Sequence, residues 1–154
     1  TARYEHSFIG INGRMDTLQC AIMLPKLERF PWELKQRNEL AKRYNNAFGE
    51  FSSKGIFIPV VKENNTSAWA QYTLRTTKRD FLIEKLKEKE VPTSIHYPKA
   101  MSEQPAYLEN GRIVSDSISK RLGHEVFSLP MYPDMPFEIQ DKVIQALVEI
   151  ANQM

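Results

Sequence analysis

Residues 10–19 read Gly10-Ile11-Asn12-Gly13-Arg14-Met15-Asp16-Thr17-Leu18-Gln19, a polar, turn-prone loop running straight into a helical pattern. Gly10 and Gly13 free the backbone at both ends of the loop. Asn12 offers an amide donor, and Arg14 a planar guanidinium suited to phosphate or carboxylate. A loop that feeds a helix start also receives anions well, through free backbone N–H groups and the helix dipole. The same residues also fit a simple turn followed by a surface arginine, and their chemistry alone favours that plainer reading.

Working outward, the pattern stays helical from Met15 to Phe48. Leu18, Ala21, Ile22 and Leu27 share a face, followed by Leu34, Ala41, Tyr44 and Phe48. Asp16 or Thr17 can cap the start. Pro25 and Pro31 remove two backbone donors, which predicts a kink or two consecutive helices. Cys20, the single cysteine, falls among apolar residues and is expected as a small buried thiol in a reducing compartment.

Beyond Gly49 the period changes. Strands are predicted at 55–61, with Pro59 marking an edge, at 68–76, at 91–97 and at 126–129. Thr77 with Asp80 predicts a capping box for a helix to about Glu90, with Phe81, Leu82 and Leu86 inward. Ser115-Asp116 opens a short helix to about Gly123, and residues 137–152 form a final amphipathic helix. Residues 99–115 read as a long loop. This order predicts an α+β fold: a small, largely antiparallel sheet with helices on one face and the long first helix along it.

Composition bounds the rest. The 154 residues are 42% hydrophobic and 26% charged with a formal net charge of +2, which suits one globular core. Near-balanced, dispersed charge argues against nucleic acid as a partner. No apolar run approaches the ~18 residues of a membrane span, and the polar first residues are unlike a signal peptide. A cytoplasmic protein is expected. His6 and His124 lack metal-ligand spacing, so no metal site is predicted. No nucleophile elbow, Walker loop or dinucleotide fingerprint occurs. Trp32 and Trp69 read as packing anchors.

A second polar cluster is Ile95-His96-Tyr97-Pro98, followed by Gln104-Pro105-Ala106-Tyr107. A strand ending in His-Tyr-Pro delivers an imidazole and a phenol at a sheet rim, where Pro stops pairing. With Gln104 and a loop beyond, these groups suit hydrogen bonding to a polyhydroxylated ligand. By spacing alone, an ordinary half-buried rim is the favoured reading of His96 and Tyr97.

Together these segments resemble the C-terminal part of the DegT/DnrJ/EryC1/StrS family of pyridoxal-phosphate-dependent sugar aminotransferases. The likeness runs through Tyr4-Glu5-His6, residues 9–19, Leu24-Pro25-Lys26-Leu27, Trp69-Ala70-Gln71-Tyr72-Thr73, residues 91–98, Gln104-Pro105-Ala106-Tyr107 and Ser128-Leu129-Pro130-Met131. Within the family it is nearest the WbpE-like branch, which aminates UDP-linked 2-acetamido-3-keto-hexuluronic acids.

The resemblance implies the small C-terminal domain of a fold-type I, aspartate aminotransferase-like enzyme. Residues 1–14 would form an interface and active-site segment, 15–48 a long kinked connecting helix, and 49–154 a small α+β domain. A large domain that binds pyridoxal 5'-phosphate and carries the Schiff-base lysine is expected in other polypeptide. No catalytic residue is therefore expected in this chain, which alone should be inactive, and Lys26, Lys35 and Lys42 read as surface. The resemblance further implies that Asn12 reaches across a homodimer interface to the cofactor phosphate of the neighbouring subunit. Arg14, His96 and Tyr97 would contact a nucleotide-sugar substrate, with glutamate as the expected amino donor, in surface-polysaccharide sugar biosynthesis. Two alternatives remain at this point: a sugar dehydratase of the same family, and a stand-alone α+β binding module.

Overall fold

The computed structural model describes residues 3–109 and 111–154, so the first two residues of the 1–14 segment and Asn110 of the 99–115 loop lie outside the described residues. One unbroken helix, α1 (Thr17–Phe48), dominates the chain. Asp16 caps it in a reciprocal box: the Gln19 N–H donates to Asp16 Oδ1 at 2.8 Å, and the Asp16 N–H to Gln19 Oε1 at 3.2 Å. Pro25 and Pro31 lie inside α1 without splitting it. The carbonyls they leave without an in-helix donor, those of Ala21 and Leu27, belong to a half of the helix exposed to water.

Only the second half of α1 enters the core. Leu40, Ala41, Tyr44 and Phe48 are buried, whereas Leu18, Ile22, Leu24, Leu27 and Phe30 stand exposed. Cys20 is exposed as well, contrary to the sequence-based expectation. Its apolar neighbours have nothing to pack on among the described residues, so helical periodicity misplaced it.

A 3₁₀ turn (Gly49–Lys54) leads into the sheet, closed by Gly55 at φ 75°, a backbone that glycine adopts freely. Strand β1 (Tyr72–Arg75) pairs antiparallel with β2 (Val126–Leu129), with Tyr72 opposite Leu129 and Leu74 opposite Phe127. These four side chains are buried against α1, α2 (Arg79–Glu88) and α5 (Phe137–Asn152). The other expected strands shrink to single bridges, Phe57 with Arg75 and Ser94 with Ser128, one on each outer side of the pair. Pro59, Pro92 and Pro98 explain this: each lacks the N–H a ladder needs. At the head of β1 the alternation breaks because Trp69 adopts φ 47°.

The capping box at Thr77 and Asp80 does not form. Lys78 occupies the cap without a side-chain bond, the Thr76 hydroxyl accepts the Lys78 N–H at 3.2 Å, and Asp80 pairs with Arg79 at 2.8 Å. Leu82 and Leu86 are buried as expected, while Phe81 is largely exposed. Within the 99–115 loop lie a 3₁₀ turn (Met101–Glu103) and a single helical turn, α3 (Pro105–Leu108). Helix α4 (Ser117–Glu125) then leads directly into β2.

Polar bonds fix α1 on the domain. The Gln140 side chain, fully buried, donates to the Leu40 carbonyl at 2.7 Å and accepts from Arg43 Nε at 2.8 Å. Tyr44 donates to the Pro130 carbonyl (3.0 Å), Tyr72 to Asn45 Oδ1 (2.7 Å) and Trp69 Nε1 to Asn38 Oδ1 (3.0 Å). The rings of Tyr44 and Tyr72 lie 4.7 Å apart.

Replacing Gln140 by Met keeps the volume and removes both bonds, leaving the Leu40 carbonyl and Arg43 Nε short of a buried partner. Chemical denaturation should record a loss of about 1–3 kcal/mol. Burial holds the phenols of Tyr44 and Tyr72 well above their ordinary value of 10.0. The unfolded chain then releases these protons while the native chain keeps them, so stability falls as pH rises above 10.0. Absorbance titration should find two of the six tyrosines silent until the fold is lost.

Candidate functional site

The loop quoted at the outset forms an exposed strap in front of α1. Asn12 and Arg14 both point their chemistry at solvent, and among the described residues Arg14 takes part in no ion pair. Inside the strap the Gly13 N–H donates to the Ile11 carbonyl at 3.1 Å, a three-residue turn with Asn12 at its centre. The strap therefore offers an amide and a guanidinium that the fold does not consume.

His96 and Tyr97 follow the Ser94 bridge, at the outer rim beside β2. His96 lines a cleft of about 370 Å³ with Gln71, Ser94, Ser128 and Tyr132. Its Nδ1 is buried and has no hydrogen-bond partner among the described residues. A buried polar atom left this way is costly, so the geometry favours a ligand group or water that meets it. Tyr97 is exposed and free to reach outward. Larger hollows of about 500 Å³ and 630 Å³ are lined by none of Asn12, Arg14, His96 or Tyr97.

The structure brings the chain start to the second cluster. The Tyr4 ring meets Tyr97 edge-on at 5.5 Å and His96 at 6.4 Å. Glu5 pairs with Lys99. The Ala106 N–H donates to the His6 carbonyl at 2.9 Å. No hydrogen bond or ion pair among the described residues links Asn12 or Arg14 to His96 or Tyr97; the two pairs share a chain path rather than a contact. The reading of Gln104 as a ligand-binding group is corrected. It is only 4% exposed, and both ends of its amide bind the backbone of residues 4 and 6. Pairing Tyr4 with His96 was beyond sequence reasoning, because contacts about ninety residues apart leave no periodic trace.

For a cofactor that carries both a phosphate and an aldehyde, the described residues include groups suited to the phosphate and none suited to the aldehyde. Asn12 and Arg14 are of the right type for a phosphate. Among the described residues no lysine is buried in a pocket that could hold an aldehyde, and no cluster of three or more metal-ligating side chains is present. No helix among them is long and apolar enough to cross a membrane.

The DegT/DnrJ/EryC1/StrS aminotransferase family profile matches residues 1–148, and the chain belongs to that family. It is 39% identical over 131 residues to UDP-2-acetamido-2-deoxy-3-oxo-D-glucuronate aminotransferase of Pseudomonas aeruginosa, covering 85% of this chain and 35% of that protein. The fold superimposes on a DegT/DnrJ/EryC1/StrS aminotransferase from Brucella abortus with TM-score 0.77 and 33% identity, over 97% of this chain and 39% of that one. It superimposes equally, at TM-score 0.77 and 28% identity, on NtdA from Bacillus subtilis with bound cofactor PMP, over 93% of this chain and 34% of that one. The chain thus spans little more than a third of the length of these relatives, and the match places its α+β fold as one part of a larger aminotransferase architecture.

The Glu5–Lys99 pair is titratable. The Lys99 hydrogen bond and charge hold the Glu5 carboxyl below its ordinary value of 4.5. A lowered native pKa means the contact is intact above 4.5 and is lost as pH falls through the native value. Acidification should therefore loosen residues 4–6 before α5, as amide exchange resolved along the chain would record.

Proposed function

We infer that this chain contributes one wall of a sugar-nucleotide aminotransferase site whose cofactor is held chiefly by other polypeptide. The observation that carries this is the exposed, unconsumed Asn12–Arg14 pair on a strap, in a chain of this family. Both groups suit an anion, and neither is used to hold the fold. When bound, pyridoxal phosphate supplies the electron sink through which an amino group and a carbonyl exchange. Asn12 donates its amide to the phosphate of a cofactor held by a neighbouring subunit in a homodimer. Arg14 stands beside it, pairing with the charged part of a nucleotide-linked keto-sugar. His96 offers its unpartnered Nδ1 to a sugar hydroxyl or carboxylate, and Tyr97 adds a phenol at the same rim. No lysine of this chain takes the covalent role. The amino acceptor proposed is a UDP-linked keto-hexuluronate, by likeness to the Pseudomonas aeruginosa relative, with glutamate as donor and a soluble, cytoplasmic setting.

The test uses the full-length gene product. Asn12→Ala should weaken retention of pyridoxal phosphate by about ten- to hundredfold, the worth of a hydrogen bond to a charged group. Arg14→Gln should instead raise the KM for a UDP-linked keto-sugar while leaving cofactor retention near wild type. Equilibrium dialysis of the cofactor and steady-state kinetics separate the two. Wild-type levels of both quantities in both variants would sink the assignment.

A further inference from the structure

Gln104 lies ahead of the one-turn helix α3 and is almost wholly buried. Its backbone is committed to the local turn: its N–H donates to the Met101 carbonyl at 3.1 Å, and its carbonyl accepts from Tyr107 at 2.9 Å. Its side chain is committed elsewhere. Oε1 accepts the His6 N–H at 3.0 Å, and Nε2 donates to the Tyr4 carbonyl at 3.1 Å. A carbonyl at one residue and an N–H two residues on is the pair that a parallel strand presents to its neighbour. Opposite Glu5, the carboxamide thus supplies the donor and acceptor that one residue of a parallel neighbour would supply from its own N–H and C=O. Among side chains only Gln and Asn carry the donor and acceptor in this form.

The grip matters because of what lies between it and α1. The strap is fixed at residues 4–6 by Gln104, Ala106 and the Glu5–Lys99 pair, and at residue 16 by the capping box. Everything between is exposed, Asn12 and Arg14 included. Tyr4, at the gripped end, rests against His96 and Tyr97. A hollow of about 270 Å³ lies between strap and loop, lined by Phe8, Ile9 and Met101 as well as by His6 and Gln104.

We propose that Gln104 is the positioning residue that sets the Asn12–Arg14 strap in register with His96 and Tyr97. It touches neither substrate nor cofactor and acts by holding the backbone of residues 4 and 6. The proposal rests on the aminotransferase reading for its kinetic consequence, though not for the grip itself.

Two variants of the full-length gene product test it. Gln104→Met keeps the length and removes both bonds. Gln104→Glu keeps the acceptor for His6 and loses the donor to Tyr4. In Gln104→Met, exchange of the His6 and Ala106 amides, the two that are bonded across the grip, should rise roughly tenfold or more while α5 is unchanged, since local opening is governed by local contacts. KM for the keto-sugar nucleotide should rise about tenfold with a smaller change in kcat, the mark of lost positioning rather than lost chemistry. Gln104→Glu carries the distinctive sign. Its carboxyl, buried against a carbonyl, titrates upward, so at about pH 6 it regains a proton to donate and recovers protection that it lacks at about pH 8. Gln104→Met should show no such recovery. Unchanged exchange of the strap in Gln104→Met overturns the proposal, and so does a loosened strap with unchanged KM. Equal loosening of strap and α5 in both variants, at either pH, reduces Gln104 to a packing residue and also overturns it. A wild-type enzyme that turns over no keto-sugar defeats the aminotransferase reading instead, and the exchange measurements still decide the grip.

Discussion

The buried amide of Gln140 sits between α1 and α5 and sets their register. Its donor end is spent on the Leu40 carbonyl and its acceptor end on Arg43, so α1 can neither slide nor roll on α5 without stranding polar groups. Arg43 extends the clasp, meeting Asp141 and lying over the Phe137 ring at 4.4 Å. With that roll fixed, Tyr44 and Phe48 face the inner side of the sheet. Leu18, Ile22, Leu24, Leu27 and Phe30 lie on the first half of α1, which is exposed on every face, so no roll of the helix on α5 would cover them among the described residues.

The elements legible in the sequence were those whose signals are local. Residues 126–129 and 137–152 form as read, because their apolar period and flanking prolines suffice. Asp16 caps α1 because its partner is three residues away. The illegible features depended on distant chain. Residues 55–61 and 91–97 have strand composition, yet their prolines limit each to a single bridge. Cys20 sits on a face that is apolar by pattern and bare in this chain. Periodicity reports that a face wants cover; it does not report whether cover is present.

The candidate site divides in the same way. Donor chemistry at Asn12 and Arg14 could be read from residue type and the helix start alone, and both side chains remain free of the fold. Residues 96 and 97 were placed at a rim by the proline that follows them. Gln104 was misread because a glutamine in a polar loop looks like a ligand contact. Only the folded chain reveals the backbone of residues 4 and 6 lying across its amide. Tyr4 was invisible as a site neighbour for the same reason.

The apolar company of Arg14 bears on how such a strap could bind an anion at all. Phe8 is 88% exposed and Ile11 96% exposed, an unfavourable arrangement for a free loop in water. An exposed guanidinium pairs only weakly with an anion, because water screens the charge and the side chain gives up its freedom. Covering Phe8, Ile11 and Met15 lowers the local dielectric, which raises the attraction within the pair against the cost of dehydrating both charges, so the balance favours binding only where the anion's other oxygens are also hydrogen-bonded. In the proposed shared site, the apolar residues of the strap therefore contribute indirectly: the surface that buries them also dehydrates the contact made by Arg14. A strap held at residues 4–6 but uncovered along 8–15 is, on this physics, a weak anion binder for as long as it stays uncovered.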